Sequence, residues 1–488
     1  MSLQKKAFSG ISWTFIEQFG SKAINFTVQI VLARLIAPEE FGLLGMILIF
    51  SAVGNSLTDS GMSQSLIRSE KPDEDDFSTV FTINLALSLF LYLVFYIAAP
   101  LISSFYDQPR LTDLIRVYSI TIVINSLFII QKTRLTYELN FKYQMKAQLP
   151  ALLLAGLTGI VMAYMDFGVW ALVYMEIVLG LSLTIIYFFQ TRWLPKMKLY
   201  RHKLKEHFYF GYKLAISGII GRIVKNIFPL IIGRYFSAAM VGYYTRAVTM
   251  KDFPIVTFSN TLDKVLYPVF SKIKKDENLK QAYQKTQVLA LLILTTIMLL
   301  LILTAHPLFA FLLGDKWLPA VPYFQLLCIT GIFYPINKYN SNILKVKGRT
   351  DLYLKMAVIV NVTLVIGILL TMKIGIIPLI LAQIANSIIA VLINIYYANK
   401  FIDYPLQEQV GDILKTSFPG LIAFSAVFSL MYFTPIFENL IDVVELIVTG
   451  GLFLFILVAI HFFFKTWSMQ EMIKLLKATP LGKPLKRK

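Results

Sequence analysis

Apolar stretches recur along the whole chain and are separated by short polar segments. A helix needs about 20 predominantly apolar residues to cross the hydrocarbon core of a bilayer. Apolar runs and helix-breaking residues divide the sequence into fourteen predicted spans: 10–33, 41–66, 78–102, 113–131, 147–165, 169–190, 209–233, 240–270, 286–304, 320–344, 356–373, 376–398, 412–433 and 441–464. The second and eighth spans are the most polar of the set. The pattern predicts an all-α polytopic membrane protein.

The composition excludes a water-soluble globule. Of the 488 residues, 57% are hydrophobic and only 15% are charged, whereas a soluble domain has about 25% charged residues. The loops between the predicted spans are too short for a soluble domain on either side. Cys328 is the single cysteine of the sequence, which excludes an internal disulfide and a cysteine-based metal site.

The distribution of basic residues supports the fourteen spans and sets their orientation. With the N-terminus inside, 32 Lys and Arg residues fall in the inner segments or at the adjoining span ends, and five in the outer segments or at their adjoining span ends, which is the positive-inside asymmetry. The net charge of +18 is then explained by loops at an anionic cytoplasmic leaflet, so nucleic acid is not expected as a partner. The N-terminal segment lacks the apolar core of a signal peptide and is predicted to be a retained first helix, with both termini cytoplasmic.

One motif occurs twice in the chain. The stretch IVLARLIAPEEFGLLGM at 30–46 is similar to LIIGRYFSAAMVGYYTR at 230–246, so that Arg34 matches Arg234 and Gly42 matches Gly242. This predicts two pseudo-symmetric six-helix bundles, an arrangement found in transporters that rock around a central site. The predicted domains are an N-terminal bundle at 1–205, a C-terminal bundle at 206–400, two extra helices at 401–465 and a basic cytoplasmic tail at 466–488.

The predicted substrate site consists of polar and basic residues within the spans. A cation at the middle of a membrane helix costs about 2.5 to 3.5 kcal/mol unless it faces water or a partner. Gln18, Lys22, Asn25 and Gln29 follow the spacing of a single helix face. Lys22 lies in register with Arg222, and spans seven and eight add further polar groups. We expect a cationic cavity lined by Lys22, Arg222, Lys225, Arg246, Gln18, Asn25 and Asn260.

Carboxylates near these cations leave two interpretations open. Glu17, Asp59, Glu176 and Asp252 either pair with cations and join helices, or bind a coupling ion. Basic residues outnumber the carboxylates within the spans, and a net positive membrane interior favours an anionic substrate over simple helix-to-helix pairing.

Several stretches resemble those of a known family. They are ARLIAPEEFGLLGM, LTDSGMSQSLIR, RLTYELNFKYQMKA, LYPVFSKIKKD and the segment at 312–355. In these stretches the chain is similar to Wzx-like polysaccharide flippases of the multidrug/oligosaccharidyl-lipid/polysaccharide (MOP) exporter superfamily. The resemblance implies export of a polyprenyl-diphosphate-linked oligosaccharide across the bacterial cytoplasmic membrane. Besides this glycan and the membrane lipids, it implies polysaccharide assembly proteins as partners. The positions that match the family's cavity helices are Lys22, Arg222, Lys225 and Arg246.

The predicted mechanism is alternating access without a cofactor or ATP. With a negative interior, moving one negative charge outward releases about 2.3 kcal/mol per 100 mV, and coupling to H⁺ or Na⁺ is a second source. A multidrug-type antiporter of organic cations would need a carboxylate-rich cavity. A membrane-embedded glycan polymerase would need acid and base groups on a sizeable outer loop, whereas the predicted outer loops here are short, nearly free of carboxylate pairs, and contain His306 as their single histidine. We therefore expect a flippase rather than an enzyme.

Overall fold

The computed structural model describes the backbone of residues 3–273, 276–434 and 440–478, with side chains described at 13–258, 273, 277–434 and 440–474. All regular elements in these ranges are helical. They are α1 (Leu3–Leu35), α2 (Pro38–Asp59), α3 (Met62–Arg68), α4 (Glu74–Phe105), α5 (Leu111–Tyr118), α6 (Ile120–Tyr137), α7 (Phe141–Tyr164), α8 (Val169–Thr191), α9 (Arg201–Tyr235), α10 (Ala238–Lys272), α11 (Asp276–Leu303), α12 (Ala305–Leu313), α13 (Val321–Val346), α14 (Thr350–Thr371), α15 (Ile376–Ile402), α16 (Leu406–Phe433), α17 (Asp442–Phe463) and α18 (Trp467–Ala478), with a 3₁₀ turn at Asp315–Ala320.

Twelve helical segments of the described residues are long and apolar enough to cross a bilayer. They correspond to the predicted spans two to seven and nine to fourteen. The helices α1 and α10, with 33 and 35 residues, contain the predicted first and eighth spans but are not among the twelve. The all-α polytopic class is confirmed, and the count of fourteen stays a prediction.

Apolar side chains cover the outward faces of these helices, as a lipid environment requires. On α14, Leu354, Val358, Val362, Ile366 and Leu369 are all exposed, and they fall on one face at helical spacing. A face of this kind would promote aggregation in water, but hydrocarbon chains solvate it without cost. The burial pattern thus agrees with a multi-pass membrane protein.

Backbone contacts divide the chain into two compact units, Met1–Gly242 and Tyr243–Lys488. In the first unit, α7 packs on α1 and α8, α6 packs on α4 and α8, and α9 packs on α2 and α3. Aromatic residues fill its core, where Trp193 packs edge-on against Phe77 and Phe81. The predicted domain boundaries at 205, 400 and 465 stay predictions.

The second unit has its own core. Here α13 packs on α11 and α15, and α16 packs on α11 and α17. One buried cluster joins Tyr283, Tyr339 and Tyr404 with neighbouring aliphatic residues. The hydroxyl of Tyr404 donates to the Asp412 carboxylate at 2.5 Å, so the buried aromatic cluster is linked to a polar group on α16.

Glu40 connects three segments at the predicted outer end of the first unit. Its carboxylate accepts two hydrogen bonds from the Arg110 guanidinium, at 2.7 and 2.9 Å. It also accepts the backbone N–H of Val169 at 2.8 Å. A bidentate Arg–carboxylate pair is geometrically specific, so Glu40 holds the first turn of α2 against the starts of α5 and α8.

We expect Glu40→Gln to lower the free energy of unfolding, because the neutral amide cannot form the charge-assisted hydrogen bonds of the carboxylate. The expected loss is only about 1 kcal/mol, since Arg110 is half exposed and solvent weakens the ion pair. Thermal unfolding of the purified protein in detergent measures this change. Glu39→Gln is the matched control, since Glu39 is the adjacent, exposed carboxylate. Equal melting temperatures for the two variants would contradict a role of Glu40 in joining the three segments.

Candidate functional site

The helix α1 packs on α7 through small residues. A Cβ atom on Gly20 would lie 3.1 Å from Leu149, and one on Gly156 would lie 2.6 Å from Val28. These contacts fix which face of α1 is turned toward α7. At 3.6 residues per turn, position 20 lies about 140° to 160° around the helix from positions 18, 22 and 25, and position 28 lies about 60° to 120° from them.

The predicted polar stripe therefore lies on a face that does not pack on α7. Gln18 and Asn25 are exposed, and Lys22 is half-buried. The three side chains share one face over two turns of α1, as the spacing predicts.

The cations of α9 lie in a stretch with little cover. Arg222 and Lys225 are both exposed, and so are Ile220 and Ile223 beside them. Among the described residues, no carboxylate oxygen lies within 4.0 Å of either cation. The Arg222 backbone carbonyl accepts a hydrogen bond from the Asn226 side chain at 2.8 Å, which leaves the guanidinium unaffected. Arg222 and Lys225 thus present two positive charges about one turn apart.

The repeated glycines meet each other within the first unit. A Cβ on Gly42 would lie 1.7 Å from the Ala238 carbonyl oxygen, and one on Gly242 would lie 2.0 Å from the Pro38 carbonyl oxygen. Pro38 and Ala238 are themselves 200 residues apart, so the contact is reciprocal. The first turns of α2 and α10 cross at a distance that only glycine permits at these two positions.

Arg246 lies in a different environment, in the second unit. It is buried, and its guanidinium carbon lies 5.4 Å from the centroid of the Trp317 ring. Trp317 is fully buried and packs edge-on against Tyr243. A guanidinium over an indole gains cation–π attraction. The side chain of Asn260, which the sequence also assigns to the site, lies outside the described residues.

The four carboxylates have local neighbours of different kinds. Glu17 interacts with the charge of Lys132, and the Asp252 carboxylate lies 3.0 Å from the Lys251 ammonium. Asp59 accepts the backbone N–H of Ser63 at 3.3 Å, so its side chain caps the start of α3. Glu176 interacts electrostatically with Tyr118. In the described part of the chain, no Lys or Arg nitrogen lies within 4.0 Å of the Glu176 carboxylate.

Within the first unit, the structure has two separate sets of site residues. One set is on α1 and consists of Gln18, Lys22 and Asn25, and the other is on α9 and consists of Arg222 and Lys225. Arg246 belongs to the second unit and has aromatic neighbours there. Sequence reasoning missed Trp317, because a tryptophan between two membrane spans is typical of an interfacial anchor. Among the described residues, no group of three or more His, Cys, Asp or Glu side chains is placed to hold a metal ion.

The exposed positions can be tested with a thiol reagent. We expect Asn25→Cys and Lys225→Cys to react with a water-soluble maleimide in a background with Cys328→Ser, because both native side chains are exposed. Native Cys328 is fully buried and should stay unmodified in the folded protein. Mass spectrometry of the labelled protein gives the extent of reaction. Protection of both introduced cysteines would support a role in helix-to-helix packing instead.

Comparison with known proteins adds a family. The model of the family described as polysaccharide biosynthesis protein matches residues 31–322. The teichuronic acid biosynthesis protein TuaB of Bacillus subtilis is 26% identical over 355 residues, which cover 72% of this chain and 73% of the relative. The lipopolysaccharide biosynthesis protein WzxC of Escherichia coli is 25% identical over 408 residues, which cover 81% of this chain and 82% of the relative.

A solved structure agrees with the fold. The lipid II flippase MurJ in an inward closed conformation superposes with a TM-score of 0.72 at 18% identity, covering 92% of this chain and 99% of that chain. At this identity the likeness concerns the fold alone. The all-α membrane fold predicted from the sequence agrees with this structure. The match over residues 31–322 shows that the chain belongs to the polysaccharide biosynthesis protein family.

Proposed function

We propose that the protein is a flippase that moves a polyprenyl-diphosphate-linked oligosaccharide from the inner to the outer leaflet of the bacterial cytoplasmic membrane. The observation that carries this proposal is the pair of exposed cations on α9, Arg222 and Lys225, which no described carboxylate neutralises. Charges within the apolar stretch of a membrane helix are energetically unfavourable. Binding of an anionic substrate that passes through the membrane would explain why these two are present.

The chemistry of the predicted site residues suits a diphosphate and a glycan. A guanidinium and an ammonium form charge-assisted hydrogen bonds with phosphate oxygens, which replace the water that the diphosphate loses. We assign this role to Lys22, Arg222, Lys225 and Arg246. The amide groups of Gln18, Asn25 and Asn260 can donate to and accept from sugar hydroxyls.

The driving force in this proposal is the membrane potential, because outward movement of two negative charges releases about 2.3 kcal/mol per charge at 100 mV. Return of the empty protein carries positive charge inward and is also favoured by the potential. Coupling to H⁺ or Na⁺ would add to this force. Of Glu17, Asp59, Glu176 and Asp252, we favour Glu176 for that role, since Glu17 and Asp252 interact with lysines and Asp59 caps a helix.

The proposal includes alternating access, cytoplasmic termini and the inner-membrane location of the multi-pass chain. Polysaccharide assembly proteins are the partners we expect at either face. A multidrug-type antiporter is the rival function. Its substrates are organic cations, which carry the opposite charge to a diphosphate. Arg222 and Lys225, which have no carboxylate oxygen within 4.0 Å among the described residues, would repel such substrates, and this observation favours the flippase.

Reconstitution in proteoliposomes tests the function. A short-chain polyprenyl diphosphate that carries a fluorescent disaccharide is placed in both leaflets, and a membrane-impermeant reagent quenches the outer pool. We expect this protein to raise the rate of exchange between leaflets over that of empty vesicles, and an imposed potential to bias the direction. Export of a fluorescent organic cation with no exchange of the lipid would favour the antiporter.

A further inference from the structure

A pocket lined by charged, hydroxyl-bearing and aromatic side chains lies in the first unit where α3 diverges from α9. The helix is interrupted between α2 and α3 at Ser60 and Gly61, which have left-handed backbone angles, with φ of 45° and 68°. Here the turn between α2 and α3 lies close to α9, since a Cβ on Gly211 would lie 2.2 Å from the Ser60 carbonyl oxygen. Beyond this contact, toward the predicted cytoplasmic end, the two helices line an open pocket of about 680 Å³.

The wall of this pocket is fixed by a partly buried chain of polar contacts. Ser65, which lines the pocket, shares a hydrogen bond with Nδ1 of His207 at 2.8 Å. Nε2 of the same ring lies 3.3 Å from an Asp76 carboxylate oxygen, and Lys203 forms an ion pair with Asp76 at 3.2 Å. His207 is almost fully buried. Because these groups join α3, α4 and α9, the pocket is a preformed feature of the first unit.

Two cations reach the pocket and are held by aromatic rings instead of carboxylates. The Arg68 guanidinium lies 4.6 Å from the centroid of Phe210, and the Lys213 ammonium lies 5.4 Å from the centroid of Tyr209. Within the described residues, no carboxylate oxygen lies within 4.0 Å of either cation. Glu206 also lines the pocket, so two positive charges face one negative charge.

A ring orients a cation without neutralising it, so both groups keep their hydrogen-bond donors. The hydroxyls of Ser65 and Ser69 add neutral polar groups to the lining. Exposed aromatic side chains on the same stretch of α9, such as Tyr209, are suited to the headgroup region of a bilayer. The combination of two donor-rich cations, hydroxyls and aromatic rings fits a phosphate that remains attached to a lipid.

We propose that this pocket binds the phosphate group of a lipid headgroup at the predicted cytoplasmic face. The proposal rests on the orientation and function proposed above. The pocket lies at the inner end of α9, several turns from Arg222, and is therefore a separate binding site on the same helix. Two sources share this chemistry: the diphosphate of the lipid-linked substrate before it crosses, and the phosphodiester of a resident anionic phospholipid.

Native mass spectrometry of the full-length protein separates these sources. The probes are farnesyl diphosphate, dioleoyl phosphatidylglycerol and, as a zwitterionic comparison, dioleoyl phosphatidylcholine. Arg222→Gln with Lys225→Gln serves as the background, so that the cations in the middle of α9 do not contribute. In it we expect Arg68→Gln or Lys213→Gln to weaken binding of the preferred probe about tenfold each, and both together about a hundredfold. Lys205→Gln, an exposed lysine on α9 outside the pocket lining, should leave binding unchanged.

Preference for farnesyl diphosphate would identify the pocket as an entry site for the substrate, and preference for phosphatidylglycerol would identify a resident lipid; either supports the proposal. Equal binding by the double variant and the Lys205 control would overturn it. Because the readout is binding, the result does not depend on transport. A protein that fails to exchange lipid-linked glycan, yet loses headgroup binding on Arg68 and Lys213 substitution, would contradict the flippase proposal and leave the pocket in place.

Discussion

Arg222→Gln is expected to slow the exchange of lipid-linked glycan between leaflets by about tenfold to a hundredfold. A hydrogen bond to a charged group contributes about 1.5 to 3 kcal/mol, and glutamine keeps much of the length of arginine while losing the charge. Since the native side chain is exposed and has no described carboxylate partner, the loss should fall on the substrate and not on the fold. The rate of fluorescence quenching in proteoliposomes measures the effect.

Arg201→Gln is the matched control for this experiment. Arg201 is an exposed arginine on the same helix, at its first residue, so the substitution removes the same charge far from the apolar middle of α9. We expect wild-type exchange for Arg201→Gln and partial recovery for Arg222→Lys, which restores the charge without the planar fork. Wild-type exchange by Arg222→Gln would show that this cation does not contact the substrate.

Gly42→Ala is expected to destabilise the protein by about 3 kcal/mol, although it adds one methyl group. The new Cβ would start 1.7 Å from a backbone carbonyl oxygen, and a backbone atom cannot move aside as a flexible side chain can. The first turns of α2 and α10 would have to separate, with loss of the packing around them. Thermal unfolding in detergent and the yield of monodisperse protein measure the change.

The reciprocal site supplies a second measurement. Gly242→Ala places its Cβ 2.0 Å from the Pro38 carbonyl oxygen, so we expect a loss of similar size. Gly451→Ala on α17 is the control, because a Cβ there would meet no described heavy atom within 4 Å outside its own stretch of helix; alanine there should be neutral or stabilise the helix by up to about 1 kcal/mol. Equal melting temperatures for Gly42→Ala and Gly451→Ala would contradict the close crossing.

The sequence predicts helices well, because an apolar run of about 20 residues has few alternatives in a bilayer. The predicted span at 169–190 becomes α8 at Val169–Thr191. The apolar pattern does not predict where a helix is interrupted within a span. The predicted span at 41–66 contains two helices, because Ser60 and Gly61 have left-handed backbone angles. For the candidate site, spacing places Gln18, Lys22 and Asn25 on one face of α1. Spacing does not distinguish the exposed Arg222 from Arg246, which is buried over Trp317, since that difference depends on residues far away in the chain.

The reciprocal glycine contact has a consequence for how this chain can change over time. Each glycine is matched to the backbone of the other copy of the motif: Gly42 to Ala238, and Gly242 to Pro38. If the motif arose by duplication of an ancestral half, the two copies did not become independent afterwards. A larger residue at one position forces a shift of the segment that carries the other glycine, so drift in one copy is restrained by the other. The pair of glycines at 42 and 242 is then maintained by their mutual contact.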